Sequence, residues 1–194
     1  AIKKGTGELE GETLDKAVYG GYGPGGVAIA VDVLTDNKNR TVSDLRKIFD
    51  EHGGNLSDAS SVLWQFVEKG RVVLKCAKLE QSEKFGEGDI EKPLNMDDVM
   101  MEMMDYEGVE DVREWKDNDE PEAHFCEIIT DPKKFASIRK NIEEKKYVIS
   151  ESELIKIPEN KIDISEKDSA KLLVLMEALD DHEDVENVWV NVEI

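Results

Sequence analysis

The sequence predicts an α+β protein built from two α/β-sandwich lobes, one of which interrupts the other. Three observations carry that expectation. Short β-branched runs alternate with segments whose apolar residues recur at helical spacing, so strands and helices are mixed along the chain. The middle of the chain reads β-α-β-β-α-β, the ferredoxin-like split motif. The flanks read β-β-α-β before it and α-β after it. The simplest arrangement is a discontinuous outer domain, residues 1–69 plus 159–194, with a ferredoxin-like domain of residues 70–158 inserted. A chain of 194 residues has room for two such cores.

The elements follow in order. "AIKKGTG" reads as the last turn of a helix, Ala1–Lys4, with lysines at its negative end and Gly5 as cap, so the chain is expected to continue upstream. Leu14–Tyr22 and Val27–Leu34 are strands on either side of a glycine turn. Thr41 and Asp44 form a capping box for a helix carrying Val42, Leu45, Ile48 and Phe49, which stops at Gly53-Gly54. Ser61–Glu68 is expected as a strand, Lys69-Gly70 as a turn, and Arg71–Cys76 as the continuation. Lys78–Asn95, polar and glycine-containing, is expected as a surface loop or insertion.

Asn95 caps a Met-rich helix from Met96 to about Tyr106, stopped by Gly108. Asp111–Lys116 and His124–Thr130 are strands around the acidic turn "DNDEPE". Asp131 is expected to cap the next helix, with Pro132 in its first position and Phe135, Ile138 and Ile142 on one face. Tyr147–Ile157 is a strand closed by Pro158. Ser165 and Asp168 cap a last helix with Leu172, Leu175, Met176 and Leu179 inward, and Asp184–Glu193 is the final strand.

Charge constrains function. The net charge is −20, and both lobes are acidic. Binding to a phosphate backbone depends on lysine and arginine, so this body by itself should repel bulk nucleic acid. No run approaches the ~20 apolar residues of a membrane span. Cys76 and Cys126 are expected as reduced thiols rather than a disulfide.

Gly21, Gly23 and Gly26 match G-x-G-x-x-G, but the match fails on context. The last glycine of a dinucleotide fingerprint opens a helix, whereas Gly26 opens a β-branched run and Pro24 removes an amide donor. Gly21, Gly23, Pro24, Gly25 and Gly26 are therefore expected as a structural hairpin turn. His124 and Cys126 share a strand face but fall short of the three or four ligands a metal needs. Neither a metal, a cofactor nor a catalytic residue is expected. Met96, Met100, Met101, Met103 and Met104 offer either a Met-filled core face, the plainer expectation, or an adaptable binding groove.

The distinctive polar segments are "TDNKNRT" and "HGGNL". Asn37, Lys38, Asn39 and Arg40 fall between a strand and a helix, and Asn55 follows that helix. Amides and cations in loops suit contact with a phosphate backbone or a partner, or else turn and cap chemistry. Arg40→Ala is expected to weaken such a contact and leave the fold intact.

"GYGPGG", "TDNKNRT", "HGGNL" and "ALDDHEDVENVWVN" together closely resemble the YebC family of bacteria and mitochondria, which includes the mitochondrial translational activator of cytochrome c oxidase subunit I. The resemblance spans the whole chain. It implies two α/β domains preceded by a helical, lysine- and arginine-rich domain, with "AIKKGTG" similar to the junction after it. It also implies a non-enzymatic regulator of gene expression, DNA-binding in transcription or ribosome-associated in translation. Nucleic acid, DNA or RNA, and the ribosome are the implied partners, held mainly through the basic domain, and no membrane is implied. The implied compartment is the cytoplasm for a bacterial member and the mitochondrion or another organelle for a eukaryotic one. Gly20 stands for the family's usual Glu, Lys38 for its usual Arg and Ser60-Ser61 for its usual Gly-Ser, and the Lys78–Asn95 segment is longer. A metal-dependent enzyme using an acidic cleft, or a protein-interaction scaffold, are the alternatives of a different class.

Overall fold

The computed structural model describes residues 14–82 and 88–193; the helix end expected at Ala1–Lys4 lies outside them. The strands and helices in chain order are β1 (Asp15–Tyr22), β2 (Ala28–Thr35), α1 (Lys38–Glu51), β3 (Asn55–Ser57), α2 (Ala59–Leu63), β4 (Phe66–Glu80), β5 (Ile90–Pro93) and α3 (Met96–Met104). There follow β6 (Val109–Trp115), β7 (Phe125–Thr130), α4 (Phe135–Glu144), β8 (Tyr147–Pro158), α5 (Glu166–Asp180) and β9 (Val185–Val190). Residues up to 67 together with those from 157 form one compact unit, and residues 68–156 form a second. Both boundaries fall inside strands, β4 and β8. Among the described residues no helix is long and apolar enough to cross a membrane.

The first unit is a four-stranded antiparallel sheet in the order β3-β1-β2-β9. β2 sits inside it because it is apolar on both faces, and strand side chains alternate between faces. Ile29, Val31 and Val33 join Leu45 and Phe49 of α1 and Leu172, Leu175 and Leu179 of α5 in one core. Ala28 and Ala30, small on the opposite face, let Val62 of α2 and Phe66 approach closely. β9 arrives from the far end of the chain and pairs with β2, from Ile29↔Val190 to Val33↔Val185.

In the second unit β4 pairs with β7 and with β8, and β7 pairs with β6. The order β8-β4-β7-β6 is the one a split β-α-β motif produces, since each helix crosses over one intervening strand. α3 and α4 close one face: Val72, Leu74, Cys76, Cys126 and Ile128 pack with Val99, Met103, Ile138 and Ile142. On the other face a row of charges crosses the strands. Glu127 of β7, 5 % exposed, accepts from Arg71 of β4 and Arg113 of β6, and Arg71 also donates to Glu151 and Glu153 of β8. Burial pushes the Glu127 carboxyl up, and the two arginines outweigh it, holding Glu127 below the usual carboxylate range.

Several local expectations are corrected. Ser61–Glu68 is not one strand. Asp58 accepts the Ser60 N–H at 2.9 Å and caps the short helix α2, so the strand starts only at Phe66. The Lys69-Gly70 turn does not exist; β4 runs straight through it. Gly70 is there for close approach, since a Cβ would stand 2.3 Å from Thr130 Oγ1 and 2.5 Å from the Phe135 ring. The segment expected as a loop over 78–95 contains the end of β4 and all of β5, paired from Ala77↔Pro93 to Glu80↔Ile90. β3 was not anticipated at all. Asp131 organises the turn ahead of α4, its side chain accepting the Lys133 N–H at 2.8 Å, while α4 itself begins at Phe135.

Cys76 and Cys126 are free and buried. The hydrogen bond with Cys76 and burial push the Cys126 thiol well above its ordinary range. Cys126 should therefore resist alkylation by iodoacetamide at neutral pH until the protein is unfolded, which mass spectrometry of quenched samples would read. Gly70→Ala should destabilise by roughly 1–3 kcal/mol through overpacking. Gly88→Ala, where a Cβ meets nothing within 4 Å, should stay within about 0.5 kcal/mol in the same urea titration.

Candidate contact site at the start of helix α1

The segment Thr35–Thr41 leaves β2 and enters α1. Asn37 is its cap, accepting the Arg40 N–H at 3.2 Å, so the helix starts three residues before the expected Thr41–Asp44 box. Thr41 is instead fully buried within the first turn. Its hydroxyl donates at 2.7 Å to Asp184 Oδ2, and Thr35 donates to the same oxygen at 3.1 Å while accepting the Asn37 N–H at 3.0 Å. Arg40 Nη2 lies 3.2 Å from both Asp184 oxygens and 2.8 Å from Asp36. Asp184 belongs to the turn between α5 and β9, and its carbonyl accepts the Leu34 N–H at 2.8 Å. "TDNKNRT" and "ALDDHEDVENVWVN" thus meet at one carboxylate, through residues such as Thr41 and Asp184 that are 143 positions apart.

Asp184 is 7 % exposed. Burial pushes its carboxyl up, but hydrogen bonds from Thr41, Arg40 and Thr35 outweigh that and hold it below the usual carboxylate range. His182 completes the turn: Nδ1 accepts the Asp184 N–H at 3.2 Å, which leaves Nε2 facing Asp44 at 3.5 Å.

The expected contact residues separate accordingly. Asn37 and Arg40 are engaged in shaping the loop, and Lys38 Nζ is 3.2 Å from Asp15. Arg40→Ala removes the cation paired with Asp184, so a loss of stability is expected from it in place of an intact fold. Asn39 is exposed, and its side chain has no hydrogen-bond partner among the described residues. Asn55 lies past the other end of the 14-residue α1, about 20 Å along its axis, so it does not join this group. Arg46, exposed and unpaired among the described residues, lies two turns along α1 from Asn39 and shares its face. In the sequence it belongs with Lys38, Arg40 and Lys47 to a compact group of cations.

The glycine motif is equally occupied. The Gly23 N–H donates to Val27 O at 2.8 Å and the Gly26 N–H to Gly23 O at 3.1 Å, around a 3-10 turn at Pro24–Gly26. Gly25 has φ 74, and a Cβ there would stand 2.9 Å from Ile164, so the turn packs against the approach to α5. "HGGNL" ends α1: Gly53 has φ 77, and the Gly54 N–H returns to Phe49 O at 2.8 Å. At the close of the last motif, Asn191 accepts the Ala28 N–H at 2.8 Å and donates to Gln65 at 3.1 Å. Among the described residues no three His, Cys, Asp or Glu side chains converge where a metal could sit.

Thr41→Val should cost about 1–3 kcal/mol, because it leaves a buried carboxylate short of a donor. The folded-state pKa of Asp184 lies below that of an unfolded aspartate, near 4. Its contribution is therefore complete above that value and lost as pH falls through the folded one. Urea titrations from about pH 6 to about pH 3 should show wild type losing its advantage over Asp184→Asn at the acid end. An advantage independent of pH would contradict this.

A family model described as the TACO1/YebC second and third domain matches residues 14–192. A probable transcriptional regulatory protein of Caldanaerobacter subterraneus is 43% identical over 194 residues, covering all of this chain and 71% of that protein. Another, from Syntrophomonas wolfei, is 38% identical over 195 residues, covering all of this chain and 69% of that protein. The crystal structure of a conserved hypothetical protein from Aquifex aeolicus superposes with a TM-score of 0.72 at 32% identity, over all of this chain and 70% of that one. With the family model matching residues 14–192 and relatives 38% and 43% identical over the whole chain, the chain belongs to the TACO1/YebC family.

Proposed function

We propose that this protein is a non-enzymatic regulator of gene expression, directed at nucleic acid or at the ribosome. In this reading the two described units act as a partner-facing body rather than as the phosphate grip. The observation that carries the proposal is the fate of the cations. Lys38 and Arg40 are engaged with Asp15, Asp36 and Asp184, in a chain of net charge −20. The names of the relatives, probable transcriptional regulatory proteins, support the regulatory half of the reading. Phosphate recognition needs cations free to release counterions, and paired side chains supply few.

Any nucleic-acid contact by this body would run along the outer face of α1, through Asn39 and Arg46. Lys38 would join by exchanging Asp15 for phosphate, with Asn37 and Arg40 holding the loop in shape. Asn55, at the opposite end of α1, would be a separate contact.

A salt titration of the 194-residue chain on one labelled DNA duplex and one structured RNA tests this. Binding at physiological salt should be weak or undetectable. At low salt each phosphate neutralised should contribute about −0.9 to the slope of log affinity on duplex DNA, so a slope from about −0.9 with Arg46 alone to about −1.8 with Lys38 engaged is expected. Arg46→Ala should abolish the residual signal. Tight binding that ignores Arg46 would place the nucleic-acid surface elsewhere in this body and sink the proposal.

A further inference from the structure

The methionine run of α3 divides between two environments. Met103 is fully buried and Val99 nearly so, while Met96 and Met100 pack partly against the same core. Met101 and Met104 point the other way and are 63 % and 53 % exposed. They stand three residues apart, one turn along the helix, and form a short apolar ridge. Asp97 and Asp98 precede Met101 by four and three residues, and Asp105 follows it by four, so all three carboxylates share the ridge's face. The C-cap residue Asp105 keeps helical geometry, with φ -76 and ψ -10.

We propose that this ridge docks a basic amphipathic helix of a partner protein. Methionine is unbranched and polarisable, so an exposed pair of methionines can mould itself to the apolar side chains of a helix laid across it. The carboxylates decide which helix. Among the described residues none of Asp97, Asp98 and Asp105 has a cationic partner, whereas Glu102 on the same helix is bonded to Lys145 at 2.8 Å and to the Tyr147 hydroxyl at 2.7 Å. Asp105 also sits at the negative end of the helix dipole with no basic residue in the last turn, a placement that costs local stability. Asp97 and Asp98 lie in the first turn, where the dipole favours acid, so Asp105 is the residue left without compensation inside the described fold, as residues at functional sites are. Asp98 and Asp105 are seven residues apart, about 10 Å along the axis, which suits cations placed on either side of an apolar stripe.

Charge also argues against other occupants. A polyanion would meet three unpaired carboxylates. A second copy, related by a twofold axis, would set the same three against themselves. The proposal goes beyond the regulatory reading and does not depend on it.

The test uses the whole chain and a fluorescein-labelled peptide of about 18 residues, long enough to form a helix, with leucines at helical spacing and lysines elsewhere. Controls are the same peptide with glutamate for lysine and a scrambled leucine-lysine peptide. The helical basic peptide should bind saturably, more weakly as salt rises, and better than both controls. Met101→Ser with Met104→Ser should weaken it about tenfold or more, and leucine at both positions should restore it. Asp97→Asn with Asp98→Asn and Asp105→Asn should flatten the salt dependence. With methyl-labelled methionine, the Met101 and Met104 signals should shift on titration while Met103 and Met176 stay in place. These side chains are exposed, so thermal unfolding of the variants should match wild type. The proposal is overturned if no peptide binds saturably, if the double serine variant binds unchanged, or if the glutamate peptide binds equally well. It is also overturned if sedimentation shows the ridge serving self-association instead.

Discussion

The Asp184 carboxylate is the constraint on which the first unit depends. A discontinuous unit must hold its last segment, which reaches it only after the chain has traversed a second core. Apolar burial under α5 supplies most of the attraction, but burial is non-directional and leaves the register of β9 open. The bonds from Thr35, Thr41 and Arg40, with the Leu34 N–H on the Asp184 carbonyl, are directional and set that register at one end. Asn191 sets it at the other by accepting the Ala28 N–H. Between these two anchors β9 pairs with β2 along its length, and Trp189 adds a bond from its indole N–H to Asp32 at 2.7 Å.

The second unit solves a different problem with similar chemistry. Its central strand β7 is buried at all six positions, including Glu127. A buried carboxylate is costly unless paired and hydrogen-bonded, and here two arginines from the flanking strands meet it, one of them shared with glutamates of β8. The row of alternating charge runs across β6, β7, β4 and β8 and penalises any slip of register, because a shift of one residue would turn each charge to the helix-covered face. In both units many cations, Arg40, Arg71 and Lys75 among them, are engaged by carboxylates of the same unit, and with a net charge of −20 the exterior is predominantly acidic. Such an exterior suits basic partners better than phosphate.

The four quoted motifs therefore read as folding instructions at least as much as a binding signature. "GYGPGG" closes a hairpin turn with its own amides, "HGGNL" caps α1, and "TDNKNRT" and "ALDDHEDVENVWVN" share one carboxylate. A cation at Arg40 looks available when only its neighbours in sequence are considered. It is engaged by a residue 144 positions away.

What the sequence by itself determined is what depends on local periodicity and capping. β1, β2, α3, β7, β8 and α5 were legible because alternation, 3.6-residue spacing and caps such as Asn95 and Ser165 involve residues a few positions apart. The split β-α-β order and the family motifs were legible for the same reason, as order and identity along one chain. Only the tertiary structure decided the rest. Gly70 looked like a turn because glycine permits turns; it lies inside a strand because Phe135 leaves no room for a Cβ. Ser61–Glu68 looked extended, yet Asp58 and the serine hydroxyls favour a helical turn there. Asn37–Arg40 looked like a free polar loop, but burial of Asp184 required donors and that loop held them. Met101 and Met104 were indistinguishable from Met103 in composition, and only packing turned one inward and two outward. Apart from α2, whose Asp58 cap is local, each of these outcomes depends on groups brought together from distant parts of the chain, so no local pattern could encode it.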